Sequence, residues 1–166
     1  MVLYVPAKSS FEEIPVEQME AKPVVAGYRY WLSLCGARPY PTRSDMRPQP
    51  IRDILRHLVL IQVIDGAADF MMSIVGDEVQ RAYDVPLNHR LLSDIILEAP
   101  TVFPGWMERY RRTALDGLPH GYRVTSGLDG GVTKFIQREA VVLPLGADGE
   151  VTHVVTFGKH ELRPGT

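Results

Sequence analysis

The chain has 166 residues, a formal net charge of −2 and an isoelectric point near 6.2. That length suits one ordinary domain able to bury its own core, and the balanced charge excludes a global attraction for polyanions or acidic membranes. Cys35, the single cysteine, excludes an internal disulfide, and no apolar run approaches the roughly 20 residues that a membrane-spanning helix needs.

Residues 1–22 read as an N-terminal arm followed by the start of a helix. The first fifteen mix prolines with Ser9, Ser10 and acidic side chains, the composition of an extended arm without fixed structure. Residues 23–57 hold a helix and a connector. In PVVAGYRYWLSLCG, Val24, Tyr28, Trp31 and Cys35 recur at helical spacing, Pro23 suits the first turn and Gly36 suits the stop. The connector PTRSDMRPQPIRDILRH is stiffened by its prolines, and Pro50 can start a short helix reaching His57. Its alternating arginines and aspartates predict pairing among themselves at the seam between helix and sheet.

Residues 58–166 form the core unit. VLIQVID and DFMMSIVG predict a hairpin turning near Gly66. Short helical pieces follow, with Ser93 and Asp94 interrupting LLSDIIL, and then a longer helix in PGWMERYRRTALDG between Pro104 and Gly117. The last third reads as three strands, with turns at LDGG and at GADGE, where Asp148-Gly149 is the stronger hairpin signal. Both faces of FIQREAVVLPL are apolar, so its sheet needs cover on both sides. The expected fold is α+β, with a five-stranded antiparallel sheet, short helices on one face and the N-terminal helix on the other.

Trp31-Leu32, the loop Pro41-Thr-Arg-Ser-Asp45, Pro48, Leu55, the strand VLIQVID, and IVG followed by DVPLNHRLLSDI together carry a likeness to a known family. Over residues 28–97 by motif, and elsewhere by element order, the chain resembles a PAS-like sensory family of bacterial proteins. Ser73 stands where that family has a basic residue, Asp77 where it tends to threonine, and Asn88 or His89 where its loop has glycine. The resemblance implies a stand-alone PAS fold that senses or associates without catalysis, with ligands known for few such domains.

The residues offer little metal or nucleophile chemistry. His153 and His160 are an odd number of positions apart, so a regular strand sends them to opposite faces. No phosphate-binding glycine loop or G-x-S-x-G elbow occurs. Met72, Ile74, Tyr83, Trp106 and Tyr110 are candidate walls of a ligand cleft, which ordinary core packing explains as well. Glu139 joins them as a carboxylate facing the pocket, or else pairs across strands with Arg123. No cofactor is identified and none is the leading expectation: Cys35 precedes the fold, away from a flavin site, and a haem would have only His89 in the helical region as its axial ligand. The arginines of the connector and of the long helix do not outweigh the acidic balance, which argues against nucleic acid.

The leading expectation is a cytoplasmic PAS-like regulatory domain that is not an enzyme, acting by association as a homodimer or on a signalling partner in trans. A small ligand in the cleft is one route to gating it. Tyr28, Trp31 and Leu32 are the candidate association surface, and capping the chain's own sheet is their plainer role. The alternative is a cone-shaped α+β enzyme or binding protein of the isomerase or dehydratase type, with Tyr110, His120 and Glu139 as its reactive groups. Strand order separates the two, because a PAS sheet holds its first strand in the centre beside its last.

Overall fold

The computed structural model of the chain describes residues 10–125 and 135–162. It opens with a strand, β1 (Ser10–Ile14), where the composition predicts an unstructured arm. The correction has a physical cause: all of β1 pairs with Gly121 to Thr125 of β5 (His120–Thr125), Ile14 is buried, and the Phe11 ring stands edge-on to Trp106 at 4.9 Å. Residues 1–9 of the predicted arm lie outside the described residues.

The first helix, α1 (Lys22–Cys35), carries Pro23 in its first turn and stops at Gly36, whose φ is 59°. Val24, Trp31 and Cys35 make its buried stripe, with Tyr28 half-buried beside them. The connector then runs as three single 3-10 turns, Arg43–Asp45, Gln49–Ile51 and Leu55–His57, so the one short helix predicted from Pro50 is two turns. The expected self-pairing is also corrected. Arg38 meets Asp45 at 2.8 Å, but the arginines at 43, 47, 52 and 56 make no ion pair among the described residues. Asp45 is engaged locally, closing a capping box with Thr42.

β2 (Leu58–Ile64) and β3 (Asp69–Val75) form the predicted hairpin. After them come α2 (Asp77–Arg81), the two-residue strand β4 (Arg90–Leu91), α3 (Leu92–Glu98) and α4 (Pro104–Asp116). α3 runs unbroken through Ser93 and Asp94, because both fall in its first turn, where a short polar or acidic side chain is tolerated and the backbone of Ser93 can reach Asp69. The left-handed residue of the preceding loop is His89 at φ 59°, not Asn88. β6 (Phe135–Ala147) and β7 (Glu150–Leu162) close the chain, joined at Asp148 and Gly149, both left-handed as a two-residue hairpin requires. The predicted turn at LDGG lies outside the described residues.

Among the described residues seven strands pair antiparallel in the order β1-β5-β6-β7-β2-β3-β4. The class is α+β, with six longer strands and the β4 stub where five strands are expected. α1 lies on β6 and β7 across one face, and α4 packs on β3, β6 and β7 across the other. The stretch from Val141 to Leu145 is buried on both faces, as its sequence requires. Among the described residues three bulges interrupt the ladders, one of them leaving Thr152 extra opposite Leu145 and Gly146, and the other two decide which face the candidate residues take. Leu60 pairs with Ile74 but Ile61 with Met72, leaving Ser73 as an extra residue; Gln137 pairs with His160 but Glu139 with Lys159, leaving Arg138.

Candidate functional site

Met72 from β3, Tyr83 from the segment after α2, and Trp106 and Tyr110 from α4 line one chamber between the sheet and α4. The sheet contributes a polar set to the same chamber: Gln137, Thr156, His160 and, just before β2, His57. The rings are tightly nested. Trp106 stacks on Tyr110 at 5.7 Å, Tyr110 meets Phe70 edge-on at 5.7 Å, and Tyr83 leans on Phe103 at 5.1 Å and stands perpendicular to His160 at 5.9 Å. Gly158 lets the Gln137 amide lie close against β7, and a Cβ there would displace that side chain. The remaining space is about 20 Å³, close to the size of one water and far below the roughly 300 Å³ of a small-molecule site. A haem or flavin does not fit this packing.

The chamber favours neutral groups. Burial drives the His160 imidazole down to about 4, helped by the nearby charges of His57 and Lys159, and burial also lowers His57. The buried phenols of Tyr83 and Tyr110 are pushed well above their ordinary value. Tyr83 Oη lies 3.4 Å from His160 Nε2, and the Nδ1 atoms of His57 and His160 have no hydrogen-bond partner among the described residues. The histidine the sequence offered as a haem ligand, His89, is exposed in the turn just before β4, where its amide donates to Met72 O. Alternation separates His153 from His160 but leaves open which of them faces inward, so sequence reasoning missed His160 and His57.

Two pocket candidates belong to the opposite face. Ile74 is 45% exposed and adjoins Leu60, Ile51 and Leu55 on the α1 side, because the bulge at Ser73 turns it away from Met72. Glu139 is buried on that side too, because the bulge at Arg138 parts it from Gln137. Its carboxylate accepts from the amides of Glu20 at 3.0 Å and Ala21 at 2.8 Å, pinning the entry to α1, where a negative charge is favoured. Arg123 is its register partner across β5 and β6, yet the carboxylate oxygen is engaged by α1.

Trp31 is a further correction. It is 3% exposed, stacks on Tyr28 at 6.1 Å, and donates its indole N–H to Pro144 O at 2.8 Å, so it caps the chain's own sheet and offers nothing to a partner. Leu32, 47% exposed, is the member of that trio that faces outward. The trio of the enzyme alternative does not converge. Tyr110 is under α4, Glu139 is across the sheet, and His120 is held between Glu13 at 3.1 Å and Asp116 at 2.7 Å, with both ring nitrogens engaged.

Among the described residues, no group of three or more His, Cys, Asp or Glu side chains is placed to hold a metal ion, and no helix is long and apolar enough to cross a membrane. No family model, curated protein or solved structure matches the chain.

Proposed function

We propose that this chain is a cytoplasmic PAS-like regulatory module that works by associating with a second copy or a signalling protein, without a reaction of its own. The observation that carries this reading is the sheet order β5-β6-β7-β2-β3, in which the first strand of the five lies in the interior of the sheet, beside the last. β1 and β4 extend that set at its two edges. The helices between β3 and β5, with α4 packed across one face and α1 across the other, agree with the same arrangement.

β7 is the mechanical link in this proposal. Thr156, Gly158 and His160 border the chamber, while Phe157, between them in sequence, lies against α1 at Gly27. A second packing that opened the chamber would move β7 and with it the seat of α1, and a small ligand or a partner would act by favouring one packing over the other. The test is native mass spectrometry of the protein drawn from its own host, with an absorbance spectrum. An assembly larger than the 18.6 kDa protomer is expected. A colourless protomer with no added mass, at every concentration tested, contradicts both the association and the ligand route.

A further inference from the structure

We infer that the apolar groove between the connector and β3 docks a short acidic, amphipathic segment of a partner protein. This rests on the association reading and assigns it a surface. The groove encloses about 180 Å³, with Ile51 and Leu55 of the connector on one side and Leu60 and Ile74 of the sheet on the other. Its uncovered floor is almost entirely carbon. Ile74 faces this groove for a structural reason: the bulge at Ser73 turns it onto the face where the connector residues Ile51 and Leu55 lie.

Charge identifies the occupant. Arg43 and Arg47 border the groove and make no ion pair among the described residues. Residues 38–57 carry five arginines against two aspartates, an excess of three positive charges in a chain whose net charge is −2. A positive border around an apolar slot, on an otherwise acidic molecule, selects a segment that inserts one or two apolar side chains and sets carboxylates beside them. A neutral apolar segment would leave the guanidinium groups unused, and a basic one would be repelled.

The experiment places a photo-reactive phenylalanine at Ile74, and separately at Leu32, in the full chain expressed in its own host, and sequences the cross-linked peptides. The expected product at position 74 is a peptide of another protein with Asp or Glu within one helical turn of the linked residue. Arg43→Glu with Arg47→Glu is expected to cut its yield about tenfold. Linked peptides without carboxylates, linkage only to a second copy of this chain, or a yield unmoved by the charge reversal overturns the inference. Linkage from position 32 without any from position 74 overturns the groove while leaving the association reading standing; silence at both positions, with native mass spectrometry finding only protomer, overturns both.

Discussion

His160 is 8% exposed, and its imidazole is held down to about 4 in the fold against an ordinary value near 6.5. Between those values the unfolded chain binds a proton that the folded chain refuses. Stability therefore falls as pH drops from about 6.5 toward 4. Urea unfolding is expected to lose about 2 kcal/mol between roughly pH 7.5 and pH 5, and His160→Gln is expected to remove most of that loss. The lowered His57 acts with the same sign, so some slope remains in the variant. Glu139 makes a different contribution: its buried carboxylate serves two amides at the entry to α1. Glu139→Ala is expected to cost about 2 kcal/mol in the same assay, and Glu139→Gln about half of that, since the amide oxygen keeps one acceptor but loses the charge.

At the scale of elements, α1 and the bulges at Ser73 and Arg138 decide what faces what. Gly27 is in contact with the Phe157 ring, so a side chain there must lift the helix from the sheet. Gly27→Val is expected to cost about 3 kcal/mol and to shift Trp31 fluorescence to the red, as its indole leaves Pro144 O for water. α1 itself was legible, because Pro23, Gly36 and the stripe of Val24, Trp31 and Cys35 are local signals. The same holds for the β2–β3 hairpin and for the Asp148-Gly149 turn. The bulges were not legible. Period-two reading keeps Met72 with Ile74 and Gln137 with Glu139, and one extra residue in each ladder reverses both inferences. Nothing in Ser73 or Arg138 taken alone announces an extra residue; it follows from the pairing of strands distant in sequence.

For the whole molecule, sequence reasoning reached the class and the two-sided cover of the sheet but undercounted its strands. β1 exists as a strand because β5 offers an open edge and Trp106 offers a ring to Phe11, both of which are absent until the fold has formed. Four of the six cleft residues do meet in one chamber, since α4 and the sheet bring them there, but the aromatic packing leaves almost no room between them. The candidate association surface contracts to Leu32 and gains Ile74. Trp31→Asp thus reports on folding: it is expected to unfold the protein, because a core tryptophan is lost and a charge is buried. Leu32→Glu, at an exposed helical position, is expected to change stability by less than about 0.5 kcal/mol, and Ile74→Asp, which removes a half-buried β-branched side chain from a strand, is expected to cost about 1 kcal/mol and leave the protein folded. They are therefore clean probes of association. The most direct measurement is native mass spectrometry of the wild type and these two variants, each drawn from the host. The account predicts a complex in the wild type that at least one variant loses while remaining folded; all three proteins at the protomer mass, or a complex indifferent to both substitutions, would contradict it.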